Sequence, residues 1–178
     1  MKIYRLLITC SLAIATYTIY EEAKMWMQFN KVKVSNNNEL NINWKAIIKK
    51  NSEELKFDKN NESALLVRAI AKGKVKNYRG ALKDINKLIH MNSKYYNLAI
   101  LYRAWFHINL KNYSTAMNDY SSLIENNEYL KDSYSNRGFI KDIFRDQKGA
   151  CSDWKIGGEL GNQSALYAFK NYCENLES

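Results

Sequence analysis

From Trp44 onward, apolar residues recur at three- and four-residue intervals in short blocks separated by polar breaks, the spacing that draws one stripe along an α-helix. Trp44, Ile47, Ile48, Leu55 and Phe57 mark one such stripe, which ends at Asp58, Lys59, Asn60 and Asn61. Farther along, Arg137 to Asn162 predicts a helix, a tight turn at Arg145, Asp146 and Gln147, a second helix and a stop at Gly161 and Asn162. Proline is absent and there are only seven glycines, so the usual helix breakers are missing and a turn-rich sheet fold is disfavoured. The pattern predicts an all-α fold.

The helix–turn–helix of Arg137 to Asn162 has two earlier copies, Arg68 to Ile89 and Arg103 to Ile124. Arg68, Arg103 and Arg137 follow one another at nearly equal intervals, and the same two intervals separate Ala81, Ala116 and Ala150, and again Asp84, Asp119 and Asp153. Three independent columns on one period of about 34 residues indicate a repeat array. Each unit reads as two antiparallel helices, with the alanines where the helices approach most closely. Leu65, Ile85 and Leu88, then Ile100, Tyr120 and Leu123, then Tyr134, Trp154 and Leu160 are the expected core. One helical pair cannot bury its apolar face, whereas about three stacked pairs can. Each Arg precedes its Asp by one constant interval (68 to 84, 103 to 119, 137 to 153), which predicts an Arg–Asp contact inside each unit; the other reading is a row of arginines for an anionic ligand.

The period, together with Tyr78-Arg79-Gly80-Ala81 and Tyr113-Ser114-Thr115-Ala116, resembles the tetratricopeptide repeat family. The resemblance implies a half repeat at 44–61, repeats at 62–96, 97–130 and 131–164, and a capping helix at 165–178. The chain departs from the family pattern in places. The proline that usually closes a unit is replaced by Asn92-Ser93, Asn126-Asn127 and Gly161-Asn162, Gln147 stands in the tyrosine position, and Gly157 and Gly158 fall inside a helix. By resemblance, partners would bind the concave face formed by the first helices. On that basis the candidate contacts are Leu66, Ile70 and Lys74, then Leu101, Trp105 and Ile108, then Phe139, Asp142 and Ile143, with Trp105 as anchor. The Lys/Asn set that clamps a peptide carboxylate in the best-known relatives is missing, so the face suits an apolar or amphipathic segment of a protein partner. Alternatively, the chain's own N-terminal helix, Tyr20 to Phe29, covers this face with Trp26 on Trp105, or the repeats self-associate in a structural membrane or envelope protein.

The N-terminus has Lys2 and Arg5, an apolar run from Leu6 to Tyr20, and then Glu21 and Glu22. That layout fits a signal peptide over 1–23, with Ala13-Ile14-Ala15 as a cleavage site. The run is shorter than the roughly 20 residues of a spanning helix. An uncleaved hydrophobic anchor remains open because apolar character continues through Met25, Trp26, Met27 and Phe29, and so does an N-terminal core helix. Leu7-Ile8-Thr9-Cys10 fits a lipoprotein box poorly, since Thr9 is unsuited to its place before the cysteine. A linker is expected over 24–43, where Ser35 to Asn38 breaks the pattern. The expected location is outside the cytoplasm, either exported or membrane-anchored.

The formal charge of +9 raises nucleic acid or an anionic membrane as partners. The lysines are scattered among acids, however, which fits a solvated surface better than a nucleic-acid stripe. His90 and His107 are the only histidines and have neither metal nor triad spacing. No phosphate loop, GxSxG or HExxH motif occurs. The expectation is therefore a non-enzymatic chain without metal or cofactor. Cys151 and Cys173 fall on helices that should be neighbours, where they could form a disulfide in an oxidising compartment or remain buried thiols.

Overall fold

The computed structural model describes residues 42–174. The expected leader or anchor, the linker up to Asn41, the docking of Trp26 and the last four residues lie outside the described residues. Eight helices follow one another among the described residues: α1 (Trp44–Phe57), α2 (Glu62–Lys74), α3 (Tyr78–His90), α4 (Tyr96–Asn109), α5 (Tyr113–Glu125), α6 (Leu130–Ile143), α7 (Gln147–Glu159) and α8 (Gln163–Tyr172). Each packs on the next. In addition α2 touches α4 and α6 touches α8, so first helices lie side by side at both ends of the array.

The asparagines that punctuate the sequence act as helix caps. The side-chain oxygens of Asn43, Asn61, Asn77, Asp146 and Asn162 each accept from the backbone N–H three residues on. Each satisfies a donor that the first helical turn leaves open, worth about 1 kcal/mol. The turns repeat as strictly as the helices. Lys76, Lys111 and Arg145 take positive φ at the turns within the pairs, and Asn92, Asn127 and Gly161 do so at the turns between them. At the turns between pairs the next residue's N–H closes back five residues, as in Ser93 to Leu88, Glu128 to Leu123 and Asn162 to Gly157. The turns within the pairs close the same way, as in Asn77 to Lys72, Asn112 to His107 and Asp146 to Lys141, and at both kinds of turn the closure satisfies the last carbonyls of a helix.

Ala81, Ala116 and Ala150 are fully buried where the paired helices meet. Opposite them runs a second, graded column on the same period: Ile85, Tyr120 and Trp154, all buried. The first helix compensates for the growing side chain. Ala69 and Ala104 become Gly138, and a Cβ at Gly138 would sit 2.6 Å from Trp154 Cδ1. The Trp154 Nε1–H is buried without a hydrogen-bond partner. Two expected core residues lie elsewhere. Leu160 is 44% exposed because it stands at the C-cap of α7, past the last helical turn. Tyr134 is half-buried, with the Arg137 guanidinium 5.4 Å from its ring centre. Gly157 and Gly158 are explained by close approach, since a Cβ would meet the Ser135 backbone nitrogen at 3.2 Å and the Leu166 Cα at 3.0 Å, respectively.

Candidate functional site

The three arginines pair within their own units. Arg68 donates to both carboxylate oxygens of Asp84 at 2.9 and 2.7 Å, Arg103 to Asp119 at 3.0 and 2.6 Å, and Arg137 to Asp153 at 2.8 and 2.8 Å. The carboxylates are buried and the pairing is bidentate, the strong form of this contact. This is the Arg–Asp contact that the constant spacing predicts. The guanidiniums are committed inside the fold, which removes the ground for a row of arginines facing an anion.

A further column escaped the sequence reading. Lys72 and Lys141 add a second cation to their carboxylates, at 2.7 and 2.9 Å, and each also donates to a backbone carbonyl, that of Gly80 or Gly149. The middle unit has His107 at this position of the repeat. Its Nδ1 lies 3.3 Å from the Asn112 amide nitrogen, and Asn112, unlike Asn77 and Asp146, makes no side-chain cap. Burial lowers the His107 pKa, opposed by Asp119 and reinforced by Arg103.

The candidate binding residues fall on the first helices. Ile70, Trp105 and Phe139 occupy equivalent positions of the three units, and all three are half-buried. Trp105 makes an edge-on contact with Tyr78 at 5.8 Å and lies 5.2 Å from Phe106. Gly73 makes room for this pair, since a Cβ there would be 2.5 Å from Phe106 and 3.0 Å from the Trp105 ring. Phe139 lies 5.3 Å from Trp154. Leu101 and Ile108 are half-buried against the central core of Ile100, Ala104, Tyr120 and Ile140. Leu66 is itself buried and offers a partner little surface. Ile143 is exposed, and next to it the exposed Phe144, which the sequence reading passed over, meets Tyr113 edge-on at 6.4 Å.

Two charges border this strip. Lys74 lies with its amine 5.9 Å from the centre of the Trp44 ring, and burial lowers its pKa. Asp142 is half-buried on α6, and burial raises its pKa. At the far end of the array, Cys151 on α7 and Cys173 at the C-cap of α8 are joined by a disulfide, their Cα atoms 5.6 Å apart.

Among the described residues, no group of three or more His, Cys, Asp or Glu is placed to hold a metal ion. No helix among them is long and apolar enough to cross a membrane.

The order of the helices and the repeated contacts define an all-α helical repeat fold of the tetratricopeptide-like class. The crystal structure of MamA, a protein of that class, is similar to this chain: the TM-score is 0.59 at 16% sequence identity, covering 75% of this chain and 89% of that one. At that identity the likeness speaks for the fold. No protein-family model matches the chain. No curated protein matches it either.

Proposed function

We propose that this chain is a non-enzymatic protein-interaction scaffold that takes up an apolar or amphipathic peptide segment along the first helices α2, α4 and α6. The observation that carries this reading is the repeated column Ile70, Trp105 and Phe139. Each unit closes its core with buried residues and neutralises its central carboxylate internally, yet each leaves one large apolar side chain half-exposed at the same position. Side chains aligned at a repeat period can be read together by one extended or helical segment. MamA supports the reading only as a scaffold of the same fold.

Trp105 is the proposed anchor, because a large ring already fixed by Tyr78 and Phe106 loses little freedom on binding. Affinity capture with the full chain tests this. Trp105→Ala should lose the proteins retained by wild type while its circular dichroism is unchanged, and retention equal to wild type would overturn the anchor assignment. A photoreactive residue at position 105 that cross-links to the chain's own residues 20–29 would assign the face to self-coverage instead.

We also propose that the repeats work outside the cytoplasm. The Cys151–Cys173 bond supports this, since such bonds persist chiefly in oxidising compartments. Fractionation followed by N-terminal sequencing tests it, and a cytosolic chain starting at Met1 would overturn it.

A further inference from the structure

The candidate contacts on the first helices include two opposite charges that have no ion pair among the described residues. The carboxylates of Asp84, Asp119 and Asp153 are each held by cations of their own unit. Lys74 and Asp142 differ. Among the described residues neither has an ion pair, and each is half-buried. Burial moves the pKa of each toward the neutral form. The Lys74 amine lies over the face of the Trp44 ring. A half-covered charge without a partner is a standing penalty that a complementary group on a ligand would relieve.

Lys74 ends α2, Asp142 lies in the last turn of α6, and α4 with Trp105 and Ile108 stands between them in chain order.

We infer that the partner segment is amphipathic and oppositely charged at its two ends, presenting a carboxylate to Lys74 and an ammonium or guanidinium to Asp142, with apolar side chains between them on Ile70, Trp105 and Phe139. The inference rests on the peptide-binding reading and adds charge selectivity to it. It favours a protein segment over a uniformly anionic ligand such as nucleic acid, which Asp142 would repel.

The test uses the full chain and three fluorescein-labelled synthetic peptides that share one apolar stripe. One carries Glu at one end and Lys at the other, one carries Glu at both ends, and one carries Lys at both ends. Fluorescence anisotropy should show the Glu/Lys peptide binding at least tenfold more tightly than either other. Because a peptide can bind in either direction, the decisive arms are single charge reversals. Lys74→Glu should move the preference to the peptide with Lys at both ends, and Asp142→Lys to the peptide with Glu at both ends. Equal binding of all three, or a preference unmoved by both reversals, overturns the charge assignment and leaves peptide binding standing. Absence of binding by any of them overturns the peptide reading as well. Self-association that is lost on Trp105→Ala, measured by sedimentation, would assign the face to a second copy and overturn both.

Discussion

Replacing His107 with lysine should stabilise the middle repeat and remove a pH dependence from it. In the flanking units the equivalent amines sit 2.7 and 2.9 Å from a buried carboxylate, with side chains only 16% and 22% exposed. Asp119 offers the same oxygen, already held by Arg103 and without a second cation among the described residues. A charge-assisted hydrogen bond contributes about 1.5–3 kcal/mol, and ordering a lysine side chain takes back up to about 2 kcal/mol. The net gain should be about 1 kcal/mol, or roughly 3–5 °C in Tm for a unit of this size. The pH behaviour follows from the direction of the His107 shift. Its folded pKa lies below the ordinary 6.5, chiefly through burial, so the fold favours the neutral ring. That contribution is fully present above about pH 6.5 and is lost as pH falls through the folded value. The geometry agrees: an unprotonated Nδ1 accepts from the Asn112 amide, whereas a protonated one sets two donors against each other. Thermal melts at pH 7.5 and 5.5 should show His107→Lys above wild type at both, with the gap wider at the lower pH. His107→Gln should lack the stabilisation but share the flatter pH profile. A lysine variant no more stable than wild type at pH 7.5, or a gap that does not widen in acid, would refute the reasoning.

The other central carboxylates give a ranked expectation. Asp153→Ala strands two cations and Asp119→Ala strands one, so urea unfolding should show a loss of about 2–4 kcal/mol for the first and about 1 kcal/mol less for the second; equal losses would contradict the two-cation clamp. Gly138→Ala should destabilise by about 1–3 kcal/mol although alanine is the better helix former, because the methyl would press on Trp154. Trp154→Tyr, the residue of the middle unit, should recover most of that loss, and additive effects in the double mutant would rule out the proposed compensation. Reducing the Cys151–Cys173 bond should lower stability by about 3 kcal/mol, given its sequence separation of 22, and speed hydrogen exchange in α8 first. Intact mass with and without reductant checks that the bond exists, and unchanged exchange in α8 would refute its role in holding that helix.

Much of the fold was legible because a repeat array states its packing rules several times over. The period, the alanine column and the constant Arg-to-Asp spacing each pointed to the same antiparallel pairs, and the salt bridges form as that spacing predicts. Side-chain caps open five of the eight helices among the described residues, but the asparagine-rich composition hid them: Asn61, Asn77 and Asn162 look like ordinary polar residues until the N–H each one caps is located. The column Lys72, His107 and Lys141 was readable on the same period, but its meaning was not. A lysine four residues after an arginine is usually solvated, and only the second helix shows that it reaches a buried carboxylate. For the candidate face, sequence position identified the first helices but could not separate buried Leu66 from half-exposed Ile70.

By itself, the sequence determined the unit of construction: two helices, a tight turn and an internal charge pair, repeated three times at one period. These depend on local hydrogen bonding and on contacts within one pair, so they leave a periodic trace. Tertiary structure alone decided what depends on volume and burial between elements. It settled that Trp154 requires Gly138, that Gly157 and Gly158 admit neighbouring backbone, and that Leu160 points outward while Trp105 is half-covered by Tyr78. It also decided which charges are matched inside the fold and which, Lys74 and Asp142, stay half-buried without an ion pair among the described residues. The opposing side chain comes from another part of the chain, and no single repeat records it.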